Sequence, residues 1–393
     1  MELMLGAVLL PPWVEGTMYA VIVGVLGCCV GSFLNVVIYR VPHGISISKP
    51  ARSFCPTCEK QISWHENIPL VSWLALRGKC SACGSKISVR YFLVELLTGG
   101  LFLATWFFFL EPRGLGVVVA YWVLLSLFVA ATFIDFEHFI IPDGITLGGA
   151  AVGIVFAAAV PELLGEGSDH WRGLMMSVLG AVVGVGLLWL VVELGKLAFG
   201  RTRFEADEGT ALKWTITQDE EKGEEEATFR FYGEDGETEE HRWSEIFFRE
   251  KRDRMILSCP ELSVAGEKLE DVEVVIYFDR VLVGDREWRI EDLERLEGTL
   301  TSVVIPREAM GMGDVKFMAC IGAFLGWQGV LFTIFAGSVS GAVVGLTTRL
   351  FGRQEWGQRL PFGPYLVFGA VLWMFYGPPL VDWYLGSVLS FSR

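Results

Sequence analysis

Apolar runs approaching bilayer-spanning length recur along this 393-residue chain, and they constrain its fold more than any other feature. A bilayer's hydrocarbon core takes about 20 helical residues to cross. Within it, only helices and closed barrels satisfy their own backbone polar groups. The runs lie at about 16–39, 91–110, 117–134, 145–160, 174–199, 314–325, 330–348 and 362–385. The composition agrees, at 52% hydrophobic with a mean hydropathy of +0.46. The expected fold is a polytopic α-helical membrane protein with about eight transmembrane helices.

Two hydrophilic stretches interrupt the runs, which divides the chain into 1–39, 40–90, 91–200, 201–303 and 304–393. Met1 to Pro12 reads as a membrane-proximal segment, because Glu2 stands where a signal peptide has cations. Residues 40–90 carry Arg40, Lys49, Arg52, Lys60, Arg77, Lys79, Lys86 and Arg90 against only Glu59 and Glu66. The positive-inside rule places that loop in the cytoplasm. Arg349, Arg353 and Arg359 mark a further cytoplasmic loop. Residues 201–300 hold 29 acidic and 15 basic side chains, which accounts for the whole net charge of −14. The acidity therefore belongs to one soluble insert, and no basic footprint for nucleic acid exists. Within the insert, Ala227–Tyr232 and Val272–Phe278 read as strands, Gly233-Glu234-Asp235-Gly236 as a hairpin turn, and Glu291–Leu296 as a short helix. The expected insert is small and β-rich, and cytoplasmic by the count of crossings.

Cysteine usage separates into two kinds. Cys55-Pro-Thr-Cys58 and Cys80-Ser-Ala-Cys83 form two Cys-x-x-Cys pairs in the basic loop. Their separation suits a zinc-ribbon-like tetrahedral Cys₄ site, whose four thiolates saturate the metal and make it structural. Reduced thiols or a redox pair are the alternative. His43 and His65 flank the pairs and read as loop residues. Cys28, Cys29 and Cys320 lie in apolar runs and read as small buried hydrophobes; Cys259 has no assigned role.

Two carboxylates sit at span ends. Asp314 follows Gly311-Met312-Gly313 at the mouth of an apolar run, and Asp135 closes another. Ionisable groups there are costly and mark functional sites, although Asp314 also reads as a helix cap after a turn. Gly311 and Gly313 lack Cβ atoms, which admits close backbone approach. Two neighbouring carboxylates share a proton. The ionised one then serves as general base for water while the protonated one polarises a peptide carbonyl. Asp143 competes with Asp135, but its place after Pro142 and before an apolar run suits a helix N-cap. Glu137 and His138 read as interfacial, Asn35 needs a partner inside the bundle, and Glu95 is either a packed carboxyl or a contact to a substrate amine. Lys316 either tunes a carboxylate or reaches for the interface. A proton-coupled transporter and a non-catalytic scaffold are the competing classes; a transporter would place its carboxylates near the midplane, often in repeated halves.

A larger set of residues carries a resemblance. Gly31-Ser-Phe-Leu-Asn-Val-Val-Ile-Tyr-Arg40-Val-Pro42, Ser53-Phe-Cys-Pro-Thr-Cys58, Asn67-Ile-Pro-Leu-Val-Ser-Trp73, Arg77-Gly-Lys-Cys80 and Arg90-Tyr-Phe-Leu-Val-Glu-Leu-Leu97 belong to it. So do Ile134-Asp135, Ile141-Pro-Asp143, Ala309-Met-Gly-Met-Gly-Asp-Val-Lys316 and Leu360-Pro-Phe-Gly-Pro364. Outside the insert the chain resembles the type IV prepilin peptidases, membrane aspartic proteases of the Gly-x-Gly-Asp group. The resemblance implies a catalytic pair at Asp135 and Asp314 and substrates that are type IV prepilins or pseudopilins. It implies cleavage at the cytoplasmic face of the bacterial inner membrane, with pilus or type II secretion machinery as further partners. It also implies N-methylation of the new terminal residue with S-adenosylmethionine as donor. The insert of about a hundred residues departs from the family pattern and reads as a tolerated accessory domain.

Overall fold

The computed structural model describes residues 12–50, 52–165, 167–199, 201–205, 212–221, 224–232, 238–247, 253–264, 266–293, 295–306, 311–351 and 360–391. Most of Met1 to Pro12, the turn Gly233–Gly236, and Arg353 and Arg359 lie outside them. The chain divides into two compact units, residues 1–189 with 311–393, and residues 190–310.

The first unit is helical. Its elements are α1 (Pro12–Arg40), α2 (Val71–Ala75), α3 (Val89–His138), α4 (Asp143–Ala159) and α5 (His170–Phe199), the last running into the second unit. Among the described residues, four helices are long and apolar enough to cross a membrane, including α3 and a second long helix, Met312–Leu350. Asp143–Ala159 and Gly363–Gly377 are apolar but shorter. Large apolar side chains such as Val21, Ile22, Phe107, Val155 and Phe335 face outward. Such extensive exposed apolar surface marks a body surrounded by lipid rather than water.

The 50-residue α3 is two helices in one. Pro112 removes a backbone donor, and Gly114 takes φ +83° with ψ 169°, a conformation open to glycine. The two halves turn back on each other: Phe102 stacks on Trp122 at 4.9 Å, and Arg90 near the start pairs with Glu137 near the end. The Glu111–Gly114 segment thus makes the return that its composition suggests. Met312–Leu350 is broken in the same way at Gly326, with φ +71°.

Close backbone approach sets the helix contacts. A Cβ on Gly31 would lie 2.7 Å from the Glu95 Cα, and one on Gly27 would lie 2.8 Å from the Gly99 Cα, so α1 backs directly onto α3. One on Gly180 of α5 would meet the Gly322 carbonyl at 2.2 Å. Ser177 Oγ donates to the Ala323 carbonyl at 2.7 Å across the same contact.

The second unit is a ten-stranded sheet whose pairings are all antiparallel. It comprises β1 (Arg201–Glu205), β2 (Leu212–Glu221), β3 (Glu224–Tyr232), β4 (Thr238–Arg242), α6 (Trp243–Ile246), β5 (Met255–Val264), β6 (Glu267–Ile276), β7 (Arg280–Val283), β8 (Arg286–Arg289), β9 (Arg295–Leu300) and β10 (Ser302–Pro306). The strand order is β4-β3-β2-β9-β5-β6-β7-β8, with β10 on β5 and β1 on β10. Trp214, Phe229, Met255, Leu257, Val274 and Ile276 fill its core. The expected strand at 227–232 falls in β3, and that at 272–278 falls in β6 as far as Ile276. The expected helix at Glu291–Leu296 does not form. Only Ile290–Asp292 makes a 3₁₀ turn, and Arg295–Leu300 instead pairs as a central strand between β2 and β5. Strand pairing there outweighs the local helical composition. The first and last strands, β1 and β10, pair from Arg201↔Pro306 to Glu205↔Ser302, so the chain leaves the sheet beside its point of entry.

The helical unit is completed by α7 (Met312–Leu350) and α8 (Gly363–Phe391).

Candidate active site

Asp135 lies in the last turn of α3, one turn before the chain leaves the helix through Phe139. Phe139 takes a left-handed φ of +55°, and its N–H closes on the Asp135 carbonyl. Asp314 is the third residue of α7. That position is inside the first turn, so Asp314 is not the helix cap that a turn-then-helix reading offers. Both side chains are buried, at 5% and 9% exposure. Two helix ends 179 positions apart in sequence thus each carry a buried carboxylate.

Ile141 packs close to the glycines beside each of them. A Cβ on Gly313 would lie 3.4 Å from the Ile141 nitrogen, so the segment after α3 packs on the first turn of α7. Gly311 is exposed, and the nearest atom to a Cβ there is Oδ2 of Asp314 itself, at 3.8 Å. Of the two motif glycines, Gly313 makes the close contact.

Gly363 is a site residue that the carboxylate reasoning missed. Its backbone N–H donates to Asp135 Oδ2 at 2.9 Å. A Cβ there would lie 2.7 Å from that oxygen and 3.0 Å from Ile141 Cδ1. The signal available was Leu360-Pro-Phe-Gly-Pro364, a helix start written with prolines beside a glycine. The first turn of α8 thereby fixes the orientation of the Asp135 carboxylate.

Asp143 is the first residue of α4, with Pro142 at the cap position, so it is not the N-cap expected from sequence. Its carboxylate is 63% exposed and pairs with Lys316 Nζ at 2.7 Å. This pair ties the first turn of α4 to the first turn of α7. It also gives Lys316 a partner other than the buried dyad.

The four cysteines converge. Cys55, Cys58, Cys80 and Cys83 place their sulfur atoms within 4.8 Å of one another. Cys55–Cys83 and Cys58–Cys80 are 3.9 and 4.0 Å apart. A tetrahedron with metal–sulfur bonds of about 2.3 Å has edges of about 3.8 Å, so the donor set fits one metal ion. The two knuckles share a backbone design. Cys55 O accepts from Glu59 N–H at 2.8 Å, and Cys80 O accepts from Gly84 N–H at 3.0 Å. Glu59 and Gly84 occupy equivalent positions, both left-handed, at φ +55° and +72°. Hydrogen bonds from the Ser85 side chain, and then from backbone N–H groups, hold the Cys55 thiol down to about 6. Ser85 also lowers the Cys83 thiol. Both effects favour the thiolate form that binds metal, whereas the Cys58 thiol, against a lowering hydrogen bond from the Lys60 backbone, is raised to about 11 by bonding to its neighbours Cys83, Cys55 and Cys80.

Asn35 finds its expected partner: Nδ2 donates to the Tyr91 carbonyl at 3.0 Å. Glu95 is buried and accepts the Leu70 N–H at 2.8 Å, so it reaches from α3 into the cysteine loop.

Comparisons with known proteins follow the same division of the chain. Residues 25–109 match the bacterial peptidase A24 N-terminal domain. Residues 119–216 and 296–346 match the type IV leader peptidase family, and the gap between them is most of the sheet unit. The chain is 44% identical over 217 residues to a prepilin leader peptidase/N-methyltransferase of Myxococcus xanthus, covering 52% of this chain and 59% of that relative. It is 40% identical over 207 residues to the protein of the same name from Dichelobacter nodosus, covering 46% of this chain and 68% of the relative. A third, from Legionella pneumophila, is 26% identical over 399 residues, covering 95% of this chain and 96% of the relative. No solved structure matches the chain. Through both matched domains and these relatives, the chain belongs to the type IV leader peptidase family, the A24 peptidases.

Proposed function

We propose that the protein is a membrane aspartic endopeptidase that removes the leader peptide of type IV prepilins or pseudopilins, and that it then N-methylates the new N-terminal residue. The observation that carries the peptidase half is the two buried carboxylates, Asp135 and Asp314, at helix ends whose neighbours Gly363 and Gly313 both pack against Ile141. The relatives' names carry the methyltransferase half.

In this reading one carboxylate is ionised and the other protonated, because like charges at short range disfavour double ionisation. The ionised group takes a proton from water, and the water oxygen bonds to the scissile carbonyl carbon. The protonated group donates a hydrogen bond to the carbonyl oxygen as charge develops there. Collapse breaks the C–N bond, and the leaving amine takes the proton that the base had accepted. The Gly363 N–H keeps Asp135 aimed throughout. Packing of Gly313 on Ile141 sets the approach of Asp314.

The protein is read as crossing the bacterial inner membrane eight times, with α3 and α7 each contributing two crossings through their breaks at Gly114 and Gly326. The basic loop 40–90 then faces the cytoplasm, and both aspartates lie at that face. Cys55, Cys58, Cys80 and Cys83 would hold zinc, as a closed structural site that orders the loop. The methyl donor is S-adenosylmethionine, which supplies the one-carbon group that the product amine receives. Pilus or type II secretion machinery would receive the processed subunit.

The test is co-expression of wild type, Asp135→Asn and Asp314→Asn with a prepilin from the same genome, reading the pilin's intact mass and N-terminus. Loss of the leader with the wild type alone, with a gain of one methyl mass, is the expected result. Cleavage that survives both substitutions removes the dyad from the mechanism.

A further inference from the structure

Four residues, Phe139 to Pro142, join α3 to α4, and both ends of this connection are fixed. Phe139 takes φ +55° with ψ 31°, and its N–H donates to the Asp135 carbonyl at 3.0 Å. Left-handed backbone at a phenylalanine persists only where surrounding structure over-determines it. At the other end, Pro142 holds φ −61°, and its carbonyl accepts the N–H groups of Ile145 and Thr146 at 2.9 and 3.1 Å. The connection therefore starts on Asp135 itself and finishes in the first turn of α4.

Ile141 is stiff within this connection. The proline that follows disfavours helical backbone at Ile141 and pushes it to an extended conformation. A β-branched side chain there has few rotamers open to it. The residue is only 7% exposed, and close packing removes what freedom is left.

Its backbone and its side-chain tip meet different helix ends. A Cβ on Gly313 would lie 3.4 Å from the Ile141 nitrogen and 3.6 Å from its carbonyl oxygen, so the Ile141 backbone packs on the residue before Asp314. A Cβ on Gly363 would lie 3.0 Å from Ile141 Cδ1 and 2.7 Å from Asp135 Oδ2, so the tip of the side chain abuts the residue whose N–H holds Asp135. One isoleucine thus packs on the glycine that precedes Asp314 and on the glycine that orients Asp135. A second tie acts in parallel. The Asp143–Lys316 pair, at 2.7 Å, joins the residue after Pro142 to α7 two residues beyond Asp314. Interiors packed this closely transmit a displacement rather than absorb it.

We infer that Ile141 is a positioning residue that sets the separation of the Asp135 and Asp314 carboxylates. Its backbone locates the first turn of α7, and its Cδ1 locates the first turn of α8. The reach from backbone to side-chain tip therefore gauges how far Asp314 stands from the carboxylate that Gly363 holds. Ile141 has no acid–base group and acts only through the two glycines. The inference rests on the peptidase half of the proposed function. Removing Cδ1 leaves the contact with Gly313 intact and lets α8 settle toward Ile141, which moves Asp135 relative to Asp314.

The experiment measures kcat and KM for cleavage of a prepilin from the same genome, with the full chain in lipid nanodiscs. Wild type, Ile141→Val, Gly363→Ala and the double variant are compared, with thermal unfolding as the control for folding. Ile321→Val removes the same methyl from a fully buried isoleucine elsewhere on α7 and should cleave at the wild-type rate. Ile141→Val should lower kcat by about tenfold and leave KM within about twofold, since a displaced reacting group costs rate rather than binding. Gly363→Ala should cost about 100-fold in the wild-type background but only about tenfold in the Ile141→Val background, because the added Cβ enters the space that Cδ1 vacates. Wild-type kcat in folded Ile141→Val, an equal loss in folded Ile321→Val, or the full loss from Gly363→Ala in both backgrounds overturns the assignment while leaving the peptidase reading intact. No cleavage by the folded wild type overturns both.

Discussion

Arg90 and Glu137 stand 47 residues apart and join guanidinium to carboxylate across the mouth of one helical hairpin. The pair brings the start of α3 beside its end, which carries Asp135. Its side chains are 15% and 39% exposed, so solvent screening limits its worth to about 1 kcal/mol or less. In a double-mutant cycle of Arg90→Gln and Glu137→Gln, we expect a coupling near 0.5 kcal/mol in thermal unfolding. Additive effects would show that the hairpin is held by its aromatic contacts alone.

Gly363 should tolerate no side chain. An alanine Cβ would press on Asp135 Oδ2 at 2.7 Å and on Ile141 at 3.0 Å. Misplacing a reacting group by about 1 Å costs about 100-fold in rate, so Gly363→Ala should lower kcat for leader cleavage by about that factor. Gly100→Ala, where a Cβ meets nothing within 4 Å, is the matched control and should cleave at the wild-type rate.

The Asp143–Lys316 pair is exposed, at 63% and 38%. Asp143→Asn and Lys316→Gln should each reduce cleavage less than about fivefold, the scale of an exposed ion pair. Asp135→Asn and Asp314→Asn should each reduce it by about 1000-fold, as expected for loss of an acid–base group. A loss at Asp143→Asn as large as at Asp135→Asn would move the first catalytic carboxylate to Asp143.

The cysteine cluster should hold one metal ion per chain by elemental analysis. Cys58→Ser and Cys83→Ser should each release it, because three thiolates cannot close the tetrahedron. Strong chelation of the wild type should lower its unfolding temperature and open the 53–87 segment to protease, since binding free energy is folding free energy in such sites. Full metal content in both variants would contradict the site.

Much of this protein is determined by one-dimensional pattern. Run length and hydropathy mark the apolar segments, Pro112 and Gly114 mark the return within α3, and two Cys-x-x-Cys pairs mark a metal site, because each depends on residues that are neighbours in the chain. The Gly-x-Gly-Asp motif and the end of the third apolar run likewise mark Asp314 and Asp135 without a structure. The sheet unit was legible as β-rich, yet Glu291–Leu296 read as helix where the strand Arg295–Leu300 begins. Its strand state comes from β2 and β5, partners about 80 and 35 residues upstream. Only the tertiary structure decided that the Gly363 N–H holds Asp135, that Lys316 pairs with Asp143, and that Ile141 packs on both Gly313 and Gly363. Those contacts depend on which helix ends share one end of the bundle. Close glycine-mediated packing and the breaks at Gly114 and Gly326 set that arrangement, and no local sequence period encodes it.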